Sequence, residues 1–113
     1  MIEIPEGTGE DFVVEHEGRV IGKVGFHAFP VIGFILHPQS WGRGFAREAL
    51  AAVIRRAFEV HRLEFIDADV DPRNERSLRL LKGVGFKEVG RAERTWNVGG
   101  NWCDSVYLRL SRN

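Results

Sequence analysis

Polar and apolar residues along the chain change period three times, and each change marks an element. Residues 12–17 and 19–26 alternate around Gly18, which predicts two antiparallel strands joined by a tight hairpin. After the break at Phe29 and Pro30, residues 31–37 read as a third strand of the same meander. From Gly44 to about His61 the period becomes helical. Ala46, Leu50, Val53, Ile54, Ala57 and Phe58 share one face, and Arg47, Glu48, Arg55, Arg56 and Glu59 lie off it.

Residues 65–70 return to a period of two, with Ile66, Ala68 and Val70 on one side and Asp67 and Asp69 on the other. One face of this strand is therefore acidic. Asp71 and Pro72 read as an N-cap and first-turn proline of a short helix through Leu78, Leu80 and Leu81, with its stop at Gly83 or Gly85. Residues 86–97 and 102–110 complete the pattern as a hairpin turning at Val98, Gly99, Gly100 and Asn101. Three strands, helix, strand, helix and hairpin make a mixed α/β fold, its mostly antiparallel sheet interrupted by one right-handed β-α-β crossover. No repeat or linker divides it, so residues 1–113 read as a single domain.

Composition narrows the partners. Sixteen basic and 16 acidic residues cancel, and the basic ones are scattered, so a nucleic acid is not the expected ligand. No apolar run suggests a signal peptide or membrane span, and the single Cys103 can form no internal disulfide. A soluble cytoplasmic protein is the expectation.

Chemistry concentrates where strand gives way to helix, in ILHPQSWGRGFAREAL, residues 35–50. Gly42 and Gly44 allow the backbone close to a ligand. The first helical N–H groups, unpaired within the helix and backed by its dipole, then suit an anion such as a pyrophosphate. A glycine turn ahead of a helix also serves a purely structural end, so the downstream sequence decides between the two.

WGRGFAREAL resembles the acyl-CoA-binding motif of the GNAT N-acetyltransferases, in which Arg or Gln is followed by two variable residues, Gly, one variable residue, then Gly or Ala. Gly44 and Ala46 take the two small positions. Trp41 stands where the family has Arg or Gln, a substitution similar to that of the branch of ribosomal-protein N-terminal acetyltransferases. DPRNERSLRLLKGVGF, residues 71–86, resembles that branch's second signature through Asn74, Ser77, Leu80, Leu81, Gly85 and Phe86. WNVGGNWCDSVYLRL resembles its closing hairpin, with Asp104, Ser105 and Tyr107 in place. Full-length members begin with a strand and two helices that wall the acceptor pocket. This chain opens at what resembles their second strand, with nothing before Asp11 to supply those elements.

The resemblance implies a truncated GNAT-like fold that uses acetyl-CoA, without a metal, to acetylate a primary amine such as a protein N-terminus or a small amine. Backbone N–H groups of Ile35, Leu36 and His37 would face the pantetheine arm or the thioester carbonyl. Those of Trp41, Gly42, Arg43, Gly44, Phe45 and Ala46 would hold the pyrophosphate, with charge from Arg43 and Arg47. Asn74 would hydrogen-bond the pantetheine and Ser77 would protonate the leaving thiolate, since Leu81 replaces a tyrosine acid found in many members. As residues, Asn74 and Ser77 also fit ordinary helix capping.

A general base is open among His27, His37, Asp69 and Asp71. The alternating aspartates equally fit a solvated sheet face, and without histidine or cysteine beside them they make a poor metal set. Trp96 and Trp102 flank the last turn, and are expected to pair across it, to floor an acceptor groove or to meet a second subunit. Cys103 reads as an ordinary strand thiol. A dinucleotide-binding module is disfavoured because Arg47 occupies its third glycine position and a meander precedes the turn. A noncatalytic acyl-CoA sensor or interaction subunit stays open. An unpaired sheet edge and a partly apolar face predict a homodimer.

Overall fold

Glu17 and Gly18 adopt left-handed backbone angles, with φ of 52° and 77°, and fold strand β2 (Glu10–His16) back on β3 (Arg19–Ala28). The computed structural model describes residues 2–4 and 9–112. β4 (Val31–Leu36) extends the meander, and a 3-10 turn at Pro38–Ser40 leads to helix α1 (Phe45–Glu59). β5 (Phe65–Val70), α2 (Glu75–Gly83), β6 (Lys87–Val98) and β7 (Asn101–Ser111) follow.

A short strand, β1 (Ile2–Ile4), pairs antiparallel with β2 and corrects the expectation that nothing before Asp11 supplies a first strand. The sheet has seven strands in the order β1-β2-β3-β4-β5-β7-β6. Every neighbouring pair is antiparallel except β4 and β5, which α1 joins as a parallel crossover.

One face of the sheet carries the core, and the side chains on it follow the two-residue strand period. Phe12, Val24, Phe26, Ile32, Ile66, Ala68, Val70, Val106 and Leu108 pack with Leu50, Val53 and Ala57 of α1 and Leu81 of α2. Leu50, Ile66, Leu81 and Leu108 are fully buried, and burial of each such side chain is worth about 1.5–3 kcal/mol. On the other face Val31 and Ile35 remain 43% and 74% exposed.

Two local expectations change. Asn74, not Asp71, caps α2: its Oδ1 accepts the Ser77 N–H at 3.1 Å, while Asp71 accepts the Arg73 N–H and pairs with the Arg73 guanidinium. The chain thus turns once more before the helix starts. In the β6–β7 hairpin, Trp96 lies opposite Cys103 and Trp102 opposite Asn97. Successive residues of a strand point to opposite faces, so the two indoles occupy different faces and do not pair.

A buried cluster pins the far end of α1. Glu10, 6% exposed, accepts hydrogen bonds from Arg56 Nε at 2.7 Å and Nη2 at 3.0 Å, and its Oε2 lies 3.0 Å from His61 Nε2. The pattern of residues gave Glu10 no role, because its partners stand 46 and 51 positions away.

Candidate functional site

Gly42 and Gly44 have φ of 77° and 83°, the left-handed region in which an L side chain is strained, and a Cβ at either position would meet no atom within 4 Å. The turn is therefore both glycine-dependent and open. Gly44 is the N-cap of α1 and offers no capping side chain. The intrahelical ladder begins with the Glu48 N–H on the Gly44 carbonyl, so the N–H groups of Phe45, Ala46 and Arg47 have no helical partner. A cavity of about 500 Å³ lies here, lined by Pro38, Trp41, Gly42, Gly44, Ala46 and Arg47 and, from α2, by Arg76, Arg79 and Leu80.

Beside it the sheet comes apart. The parallel ladder of β4 and β5 holds only Val31 with Asp67 and Ile32 with Ala68, and beyond those pairs the strands separate. A cavity of about 560 Å³ occupies this splay, lined by Phe34, Ile35, Leu36 and Trp41 on one side and Arg73, Asn74, Ser77 and neighbouring α2 residues on the other. Trp41, Arg76 and Arg79 line both cavities, so the two adjoin.

The direction of the β4 amides follows from its pairing with β3. The His37 N–H donates to the Ile21 carbonyl at 2.7 Å, and Ile35 pairs with Lys23 two residues earlier in the same register. In an antiparallel ladder alternate residues turn their N–H groups to opposite edges. Ile35 and His37 are thus committed to β3, whereas Phe34 and Leu36 present theirs to the splay. Of the three amides expected from the sequence, Leu36 faces the cavity; Phe34 was missed, because the phase of the alternation is set by β3.

Ser77 is 6% exposed and lines the splay, and its hydroxyl has no protein hydrogen-bond partner among the described residues. Asn74 spends Oδ1 on the cap and keeps its amide N–H groups at the cavity wall. Arg47 reaches the last carbonyl of α2, with Nη2 3.4 Å from the Gly83 oxygen. The Arg43 and Phe45 side chains sit elsewhere: the Arg43 guanidinium lies 5.0 Å from the Phe45 ring centroid, and that ring packs on His16 at 4.4 Å. Leu81 points into the core.

Three arginines that the motif reading did not single out dominate the cavity wall. Arg73, Arg76 and Arg79 recur every third residue, a spacing that keeps them along one side of the chain as it enters α2. Their recurrence was the available signal. The Arg76 guanidinium lies 5.0 Å from the Trp41 ring centroid. The Arg73 guanidinium and backbone N–H hold the Asp71 carboxyl down to about 2, and Arg73 Nη2 also reaches the sulfur of buried Cys103 at 2.9 Å. Asp71 is thus committed to Arg73. His27 and His37 are exposed and line neither cavity, and Asp69 lies on the opposite sheet face.

Among the described residues no group of three or more His, Cys, Asp or Glu is placed to hold a metal ion, and no helix is long and apolar enough to cross a membrane.

Comparison with known proteins agrees with this geometry. Residues 2–87 match the family described as Acetyltransferase (GNAT) domain. An uncharacterized N-acetyltransferase, p20 of Bacillus licheniformis, is 34% identical over 111 residues, which cover 91% of this chain and 62% of that protein. The ribosomal protein uS5-alanine N-acetyltransferase of Escherichia coli is 34% identical over 86 residues, 76% of this chain and 44% of that protein. The ribosomal-protein-S5-alanine acetyltransferase structure from Vibrio fischeri superposes with a TM-score of 0.85 at 29% identity, covering 94% of this chain and 63% of that one. The chain thus spans less than two thirds of the length of these relatives. With the glycine turn, the parted strands and the matched residues all in one register, the chain belongs to the GNAT acetyltransferase family.

Proposed function

We propose that the chain binds acetyl-CoA in the two adjoining cavities and transfers the acetyl group to a primary amine by direct attack. The separation of β4 from β5, directly beside the open glycine turn, carries this reading, because it exposes strand amides to an extended thioester arm while the helix start receives its phosphates. The amides of Phe34 and Leu36 are free to meet the pantetheine or the carbonyl oxygen, where fixed donors would stabilise the developing oxyanion. Arg76 and Arg79 add positive charge beside the pyrophosphate position. The amine lone pair attacks the carbonyl carbon, the carbon–sulfur bond breaks, and the thiolate takes a proton from Ser77 or through water. The attacking nitrogen gives its own proton to water and Ser77 regains one from solvent, so atoms and charge balance without a covalent enzyme intermediate.

The acceptor is a protein N-terminus or a small amine, in keeping with relatives named for alanine of a ribosomal protein and with a fold neighbour named as a spermidine N-acetyltransferase from Vibrio cholerae. We place the chain in the cytoplasm, in keeping with its one cysteine. We also propose a homodimer, supported by the outer sheet edge at β6, where Val89 and Val98 are exposed; a monomer in light scattering at micromolar concentration would refute it.

Incubation with acetyl-CoA and a panel of amines and N-terminal peptides, followed by release of free thiol, tests the activity. Acetyl-CoA binding with no thiol release on any acceptor would identify a noncatalytic sensor instead. No binding would refute both.

A further inference from the structure

We propose that Asp69, steadied by the Trp96 indole, docks a cationic group of the acceptor on the uncovered face of the sheet, and so selects amines that carry no carboxylate beside the nitrogen. This rests on the acetyl transfer proposed above.

The period of β5 sends Asp67 and Asp69 to the uncovered face, and their surroundings differ. Asp67 is satisfied by Arg109, with Nε at 2.7 Å and Nη2 at 3.0 Å, and that guanidinium lies 3.9 Å from the Phe65 ring centroid. Asp69 has no ion-pair partner among the described residues. Its contact is Trp96 Nε1, 3.5 Å from Oδ1.

That indole is itself fixed. The same Nε1 donates to Ser105 Oγ at 3.0 Å, and Ser105 is fully buried and bonded to the Thr95 hydroxyl. Trp96 nonetheless remains 51% exposed, so an open aromatic ring stands beside a carboxylate that lacks a counter-charge. Ammonium groups are held by this combination, through the carboxylate and through the ring face.

Position connects the pair to the reaction. The β4–β5 ladder ends at Ala68, so Asp69 is the first residue past the parting of the strands. Across the gap, a Cβ at Gly33 would meet nothing within 4 Å, which leaves open space on the acceptor side. Arg76 and Arg79 gather on the donor side instead, while Arg73, which reaches Cys103 on the face of Trp96, is paired with Asp71. An anionic donor and a cationic acceptor are thereby drawn to different sides of the splay. A carboxylate next to the acceptor nitrogen, as in a free amino acid, would face Asp69 and be repelled.

The indole N–H resonance of Trp96, assigned by its loss in Trp96→Phe, reads docking directly. Titration with butanediamine should shift it saturably, glycine should not, and Asp69→Asn should abolish the shift while acetyl-CoA affinity by calorimetry is unchanged. In turnover, Asp69→Asn should raise KM for the diamine by about ten- to a hundredfold, the value of one charged hydrogen bond, with kcat retained. A resonance that ignores the diamine, moves equally in Asp69→Asn, or responds as well to glycine would overturn the proposal. A diamine-dependent shift without acetyl-CoA binding would overturn the acetyl-transfer reading and leave the docking site standing.

Discussion

Arg76 lays its guanidinium 5.0 Å from the centroid of the Trp41 ring, joining α2 to the glycine turn at the wall common to both cavities. Trp41 stands where the family motif has Arg or Gln, and α2 sets a positive charge against its ring. Removing either partner should weaken acetyl-CoA. Arg76→Ala and Trp41→Ala are each expected to raise its Kd about tenfold in calorimetry, with the Arg76 effect shrinking as salt is added. Affinities equal to wild type would show that the stacked pair does not wall the donor site.

At Gly44 the backbone and the ligand make the same demand. Valine there is expected to cost about 1–2 kcal/mol of stability from the left-handed φ of 83°, with no steric clash inside the protein. Its side chain would instead project where the helix-start amides are open. Circular dichroism should report a folded chain, and calorimetry should report no acetyl-CoA binding.

Ser77→Ala separates the hydroxyl from the helix cap, because Asn74 takes the backbone N–H of Ser77 and not its side chain. Helix stability should persist. If the hydroxyl protonates the leaving thiolate, kcat should fall about ten- to a hundredfold while the Kd for acetyl-CoA stays within about twofold. An unchanged kcat would pass that duty to water.

Glu10 links stability to pH. Hydrogen bonds from Arg56, with a further contribution from His61, hold its carboxyl below the ordinary range. Its folded value is thus lower than its unfolded value, so the contribution is present above the ordinary carboxylate pKa and is lost as pH falls through the lowered one. The melting temperature should drop below about pH 4.5 more steeply in wild type than in Glu10→Gln. At neutral pH, Glu10→Gln should destabilise by about 1–3 kcal/mol, less than for a fully buried pair because the Arg56 side chain is 39% exposed. Parallel melting curves across this range would sink the assignment.

Much of this was legible in the order of residues. The bounds of β5, the helical face of α1, the open glycine turn and the two hairpins each follow from a period or a turn read over a few neighbouring positions, because backbone geometry repeats locally. The motifs also singled out Gly44, Asn74 and Ser77 as donor-site candidates, and they line the two adjoining cavities, Gly44 one and Asn74 and Ser77 the other. Which strand amides face the splay was not legible, since Phe34 and Leu36 alternate with Ile35 and His37 and only the His37 bond to Ile21 sets the phase. Nor were the Glu10 cluster, the contact of Arg76 with Trp41 or the meeting of Asp69 with Trp96, which join residues tens of positions apart. Sequence alone determined the elements and the glycine turn, whose physics is local. Only the tertiary structure decided register, partner and face, because a shift of one residue in strand pairing reverses which side every group meets.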